Sequence, residues 1–256
     1  MLWAIDVGNT QTVVGVWDES WRATWRLATD FSMTEDELAA MLKPLCDLDD
    51  IPFEAQTMVV ASVVPAMNFS LARLAQKHFA IEALFLTTGD QVGLAVEYQP
   101  KNAVGADRIA NAVAALQLVA PPIVIVDFGT ATTFDAISKE RVYVGGAILP
   151  GVQVSMEALI GRTAKLPQID LVAPKHAIGK STVESLQSGI MLGYAGAIDA
   201  LARRTLGELG GGTVIATGGL SVDFMALCDC LERHEPLLTL EGLRMAAPKL
   251  LQARLG

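Results

Sequence analysis

Along this chain the spacing of apolar residues switches between period two and period 3.6, and each switch marks the passage from a strand to a helix or back. Residues 2–7 form an apolar run interrupted only by Asp6, and residues 12–17 and 21–27 alternate. This predicts a buried strand followed by two half-buried ones in an antiparallel meander. Thr34 and Glu37 have the spacing of a capping box, which opens a helix through about Leu45. Residues 57–64 are a further apolar strand ended by Pro65, after which Phe69, Leu71, Leu74, Ala75 and Phe79 share one helical face, and residues 83–86 supply another strand. Periodicity is lost over residues 87–104, where Tyr98, Pro100 and Lys101 lie. It returns as a helix over 105–119 with Ile109, Val113 and Leu116 on its apolar face.

The second half is organised around residues 123–135, IVIVDFGTATTFD. Four β-branched residues run into an acid, a glycine and three threonines, the pattern of a fully buried strand that delivers a polar turn. Gly129 admits close backbone approach, and Thr130, Thr132 and Thr133 offer hydroxyl and N–H donors, a set suited to a phosphate. The chain opens with a second copy, in which Asp6, Gly8 and Thr12 repeat the spacing of Asp127, Gly129 and Thr133. Two copies half a chain apart predict an α/β protein of two similar lobes facing each other across a cleft. Pro121 and Pro122 put the boundary near residue 120, giving lobes at 1–120 and 121–256. Downstream, residues 141–149 read as a strand, and a helix follows with Pro150 at its start. Residues 161–180 are irregular and carry Arg162, Lys165, Lys175 and Lys180. A helix from Ser181 and Thr182 to about Leu206 contains Gly189, Gly193 and Gly196, which suit packing within the subunit or a subunit interface. Residues 213–217 form a last strand ending in ATGGLS.

Composition narrows the function. With 52% hydrophobic and 18% charged residues among 256, the chain has apolar surface enough for two cores and for oligomerisation. No apolar run reaches membrane-spanning length and no signal sequence precedes the first strand, so a cytoplasmic protein is expected. The net charge of −9 argues against nucleic acid or an anionic membrane as a partner. An anionic ligand must then be drawn by local groups: turn N–H donors, helix N-termini, a few basic residues and metal ions. Cys46, Cys228 and Cys230 make no disulfide framework, and with no His cluster near Cys228 and Cys230 a metal site there is not expected. Asp107, in the first turn of a helix, reads equally as an acid favoured by the helix dipole, and Arg108 as a surface residue. No dinucleotide-binding or Walker motif is present.

IDVGNT at 5–10, GADR at 105–108, VDFGTATT at 126–133, GGAILPG at 145–151 and ATGG at 216–219 occur in an order that resembles the type III pantothenate kinases of coenzyme A biosynthesis. That family belongs to the superfamily of acetate and sugar kinases, heat-shock ATPases and actin, built from two ribonuclease H-like lobes. The resemblance implies ATP-dependent phosphorylation of pantothenate with Mg2+ and a monovalent cation, K+ or NH4+. Asp6, Val7, Gly8, Asn9, Thr10, Gln11, Thr12 and Val13 would form the first phosphate loop, and Thr130 would touch ATP. Asp127 would hold the monovalent cation. Tyr98, Gly105, Ala106, Asp107 and Arg108 would bind pantothenate, with Asp107 the catalytic base. Thr182 would reach the pantothenate of the partner subunit in a homodimer. Two alternatives remain at this level: a kinase of the same superfamily acting on another small alcohol, and a regulatory protein accessory to transcription.

Overall fold

The opening meander forms as β1 (Leu2–Val7), β2 (Gln11–Asp18) and β3 (Ser20–Ala28) in a computed structural model that describes residues 1–255. The capping box then opens α1 (Glu35–Leu48): Thr34 Oγ1 accepts the Glu37 N–H at 3.4 Å, and Glu37 Oε2 accepts the Thr34 N–H at 2.9 Å. Next come β4 (Thr57–Ser62), α2 (Pro65–Phe79) and β5 (Leu84–Leu86). Pro65 sits in the first helical turn, where its missing N–H is not needed. The sheet order is β3-β2-β1-β4-β5, with β4 parallel to both β1 and β5. On one face Trp3, Ile5, Val7, Val14, Val16, Met58 and Val60 pack against α1 and α2. Trp3 is fully buried among Trp25, Phe53 and Phe79, and its indole N–H donates to the Glu54 carbonyl at 2.9 Å.

The opposite face of this sheet presents small residues, Ala4, Gly15 and Ala61, beside Val59. It is covered by a C-terminal helix, α8 (Leu238–Leu255), which buries Leu240, Leu243, Ala246, Ala247 and Leu250 and packs on β1, β4 and β5. Leu240 rests on Gly15. Polar contacts fix the same helix to the β2–β3 hairpin. Trp21 Nε1 donates to Glu241 at 2.6 Å, and Arg244 pairs with Glu241 at 2.8 Å while lying 4.4 Å above the Trp17 ring. Beside α8 runs α3 (Ala106–Leu118), so close at Gly242 that a Cβ there would overlap the Ala110 backbone.

The second sheet repeats the first. Its strands are β6 (Ile123–Phe128), β7 (Ala131–Ile137), β8 (Tyr143–Pro150), β9 (Thr213–Thr217) and β10 (Arg233–His234), in the order β10-β9-β6-β7-β8. Counted from the β8 edge this is the same succession, third-second-first-fourth-fifth, with the same antiparallel and parallel pairings. Helix α4 (Val152–Gly161) follows β8, and α7 (Ser221–Phe224) follows β9. Between them α5 (Thr182–Gln187), a π-helical turn at Ser188–Leu192 and α6 (Gly193–Leu209) run end to end. One face, with Val124, Val126, Phe128, Phe134, Val214 and Ala216, packs against Ala195, Ile198 and Ala202 of α6. Pro150 is the last residue of β8 and Gly151 the N-cap of α4, so the helix begins after the proline and not with it.

The chain divides into two compact units, Met1–Ala114 with the segment from Leu238 onward, and Ala115–Leu237. A division at residue 120 with everything later in the second lobe therefore misplaces α8. The reason is the bare apolar face left on β1, β4 and β5, which α8 covers. The contact at Gly242 yields a test whose sign runs against helix propensity. Gly to Ala inside a helix ordinarily stabilises by about 1 kcal/mol. Gly242→Ala should instead lower the unfolding midpoint in denaturant, because the methyl forces α8 away from α3. A midpoint equal to or above wild type would show that the two helices are not held this close.

Candidate phosphate loops and catalytic carboxylate

Asp6 lies one residue before the end of β1, paired with Val13 on β2 and Ala61 on β4. The reversal that follows is closed by the Gly8 N–H donating to the Gln11 carbonyl at 2.9 Å. Val7 is fully buried in the core and Thr12 is 6% exposed, whereas Asn9, Thr10 and Gln11 are exposed. Asp6, Gly8 and Val13 are half-buried, so within residues 6–13 the part most open to a ligand is the reversal itself. A residue that sequence reading passed over braces it. Thr29, just past β3, donates its N–H to the Thr10 carbonyl at 3.0 Å and its hydroxyl to the Gly8 carbonyl at 2.8 Å, and its Oγ1 lies 2.9 Å from Thr12 Oγ1.

In the second unit Asp127 pairs with Thr133 on β7 and Thr217 on β9, so these three side chains lie in one row on one face of the sheet. The Gly129 N–H donates to the Ala131 carbonyl at 3.1 Å, and the Gly151 N–H to the Thr130 carbonyl at 3.0 Å. Gly151 stands where Thr29 stands in the first unit, just beyond the third strand, and a Cβ on it would overlap the Gly129 and Thr130 carbonyls. Gly218, at φ +90°, is pressed as closely against Asp127 and the Phe128 backbone. The strand registers correct the equivalence drawn from sequence spacing. Asp6 is opposite Val13 and Asp127 opposite Thr133, so the counterpart of Thr133 is Val13, and that of Thr12 is Thr132. The first reversal has one residue more, and with a period of two that residue moves a side chain to the other face.

Thr133 Oγ1 is buried with no hydrogen-bond partner among the described residues. A buried hydroxyl oxygen directly across from a carboxylate is a donor set that fits a hard cation bound through oxygen. Asp6 suits Mg2+ in the way such sites commonly hold it, with one carboxylate and the remaining ligands from phosphate and water. Cys228 and Cys230 are a different case. Burial pushes the Cys228 thiol up to about 12 and raises the Cys230 thiol as well, so neither is a ready thiolate. The N–H groups of Asp229 and Cys230 donate to Asp199 at 3.2 and 2.9 Å, which makes this loop a structural fastening.

Asp107 and Arg108 occupy the first turn of α3. The Asp107 carboxylate accepts the Arg108 N–H at 2.8 Å and folds back over Gly105, occupying the space that a Cβ at 105 would need. Val63 lies against Gly105 and donates its N–H to the Val7 carbonyl at 3.0 Å, which sets the GADR turn beside the end of β1. Arg108 is 7% exposed and so is no ordinary surface residue. Burial pushes the Asp107 carboxyl above its ordinary value, against the lowering influence of the Arg108 N–H and guanidinium. Tyr98 is half-buried in the segment between β5 and α3. Thr182 is exposed on the first turn of α5, where Ser181 and not Thr182 makes the cap, accepting the Glu184 N–H at 3.2 Å.

Two mixed sheets of identical succession, each with an acid near the end of its first strand, make this an α/β protein built from a duplicated fold unit. The sequence profile of the type III pantothenate kinases matches residues 2–204, and the chain belongs to that family of kinases. Solved structures share the fold over nearly the whole chain. A Campylobacter jejuni protein described as a conserved Baf family transcriptional activator is 20% identical over 98% of both chains, with a TM-score of 0.62. A Sinorhizobium meliloti protein described as a 2-dehydro-3-deoxygalactonokinase is 14% identical over 99% of this chain and 96% of its own, with a TM-score of 0.58. The activator of 2-hydroxyisocaproyl-CoA dehydratase from Clostridium difficile, with bound ADPNP, is 11% identical over the same shares, with a TM-score of 0.52. Among the described residues no helix is long and apolar enough to cross a membrane.

The raised proton affinity of Asp107 has a stability consequence. A carboxyl whose folded-state value lies above its unfolded one contributes stability below the unfolded value and loses it as pH rises through the folded one. At neutral pH desolvation of this carboxyl is then a net destabilisation. Asp107→Asn should melt higher than wild type at neutral pH, with the difference shrinking as pH falls towards the ordinary carboxylate range. Melting curves across pH that show no such convergence would mean that Asp107 is as well solvated folded as unfolded.

Proposed function

We propose that the chain catalyses ATP-dependent phosphorylation of pantothenate to 4'-phosphopantothenate, the first step of coenzyme A biosynthesis, by in-line transfer with Asp107 as general base. The observation that carries this reading is the Asp107 carboxylate: half-buried, raised in proton affinity by desolvation, and set by the GADR turn beside the first reversal. An alcohol is a weak nucleophile, and a carboxylate of raised affinity can orient it and take its proton as the P–O bond forms. The leaving group is ADP, and protein assistance is mainly positioning and charge stabilisation. In this reading Asp6 to Val13 and Thr130 hold the ATP phosphates. Tyr98, Gly105, Ala106 and Arg108 hold pantothenate, with Arg108 suited to its carboxylate. Mg2+ supplies charge neutralisation at the phosphates beside Asp6, and K+ or NH4+ is held by Asp127 with the Thr133 hydroxyl across the strand. Those cations answer the problem that a −9 chain poses for a polyanionic substrate.

The working form in this proposal is a homodimer in which Thr182 completes the partner's pantothenate pocket. Gly189, Gly193 and Gly196 have open space where a Cβ would stand, so packing inside the subunit does not account for them. Exposed apolar residues lie nearby in sequence, Ile178 at 82% and Val183 at 42%. The Ser181 cap leaves Thr182 without a capping duty. A two-fold pairing would bury this surface.

Three measurements test the proposal. Purified protein should phosphorylate pantothenate in the presence of ATP, Mg2+ and K+, and should lose most of that activity in sodium-only buffer. Phosphorylation of a sugar acid or another alcohol in place of pantothenate would transfer the reading to the other kinases of this fold. Asp107→Asn should reduce turnover about 10²–10⁴-fold while nucleotide binding persists, and near-wild-type turnover would remove Asp107 from the mechanism. Mixing inactive Asp107→Asn with an inactive Thr182→Ala variant should restore activity through mixed dimers. Exchange of subunits without recovery would show that the site is not shared.

A further inference from the structure

Thr29 holds the first reversal through three hydrogen bonds, and their direction can be assigned. A carbonyl has no proton to give, so the Thr29 hydroxyl must donate to the Gly8 oxygen. Its single proton is thereby committed. In the 2.9 Å pair between Thr12 and Thr29, the donor is therefore Thr12. The result is a one-way relay from Thr12 to Thr29 to the Gly8 carbonyl, with the Thr29 N–H taking the Thr10 carbonyl alongside it at 3.0 Å.

The relay matters for an anion. A tight reversal contains as many carbonyl oxygens as N–H groups, and an oxygen pointing at a phosphate repels it. Thr29 takes up two of the carbonyls between Gly8 and Gln11, and the Gly8 N–H takes up a third, that of Gln11. The second unit provides an internal comparison. There Gly151 takes up the Thr130 carbonyl by its N–H alone, in a reversal one residue shorter that has no space for a side chain. The backbone bond is thus the same in both units, and the longer first reversal adds a side-chain bond to a further carbonyl, that of Gly8.

We infer that Thr29 is a positioning residue for nucleotide binding: its hydroxyl fixes the Gly8–Gln11 reversal so that the carbonyls face away from the phosphates. This inference rests on the proposed role of that reversal as a phosphate loop. Thr29 touches no substrate, so its removal should act on nucleotide affinity rather than on pantothenate.

The variant that reads this is Thr29→Val, which keeps the shape and removes the hydroxyl, leaving the Gly8 carbonyl and the Thr12 hydroxyl without partners. Calorimetry with a non-hydrolysable ATP analogue and Mg2+ should show affinity weakened roughly 5- to 100-fold. The KM for ATP should rise in parallel, with the KM for pantothenate changed less than about threefold. Thr29→Ser, which restores the donor, should recover most of the lost affinity. Thr29→Ala is the second variant, and the result is read on whichever of the two folds. Wild-type nucleotide affinity in a folded variant overturns the inference. So does failure of both to fold while Thr29→Ser folds, since the hydroxyl would then serve stability as a whole. A wild-type protein that binds the analogue but does not phosphorylate pantothenate would sink the proposed function and leave the role of Thr29 standing. A wild-type protein that binds no nucleotide overturns both.

Discussion

What the two reversals can do for a phosphate depends on where their own carbonyl oxygens point. Each reversal follows a buried central strand, so its backbone emerges from the sheet edge with donors and acceptors in equal number. In both units the residue just past the third strand takes up acceptors of the reversal, Thr29 after β3 two of them and Gly151 after β8 one. That residue reaches the reversal because the meander brings the end of the third strand alongside the start of the second. The antiparallel pairing thus serves the site as well as the core. Lengthening β3 by one residue would turn Thr29 to the opposite face.

The two units share this device but not its chemistry. Four residues separate the paired positions Val7 and Thr12, and three separate Phe128 and Thr132. In the shorter reversal the third-strand backbone closes so tightly that only glycine fits, and Gly218 presses from the β9 side as well. In the longer one there is space for a threonine and a hydroxyl relay. The extra residue also leaves Val13 where the second unit has Thr133, so the cross-strand neighbour of Asp6 is apolar and that of Asp127 is polar. A hydroxyl beside Asp127 and a methyl-bearing side chain beside Asp6 distinguish the two carboxylates chemically, although both occupy the same place in the same topology.

Much of this was legible in the sequence because it is local. Period two marked the meander, the spacing of Thr34 and Glu37 marked the cap, and the repeated Asp-x-Gly marked the duplication. What was not legible depends on partners far along the chain. No element was read after residue 219, and α8, which contains the poor helix formers Gly242 and Pro248, forms because β1, β4 and β5 offer an uncovered apolar face more than 150 residues earlier. The placing of Thr12 against Thr133 failed because spacing from an acid cannot reveal an added turn residue, whereas strand pairing does. Thr29 gave no signal at all, since a threonine at the end of an alternating strand is an ordinary residue there. Asp107 was legible as a member of a motif, and its environment was not.

That environment is what gives the carboxylate its chemistry. A general base has to be ionised at working pH and still hold a proton firmly once it has taken one, and these demands oppose each other. In the proposed role of Asp107, desolvation acts towards the second demand by disfavouring the charge, while the Arg108 N–H and guanidinium act in the opposite direction, towards the first. The position depends on a missing atom. Because Gly105 lacks a Cβ, the carboxylate can lie back over its own chain. Any larger residue at 105 would push the carboxylate out of this position, towards water and towards the ordinary proton affinity of an exposed aspartate. The small residue in GADR is thus coupled to the acid two positions later by exclusion of volume, and through volume to its readiness to accept a proton.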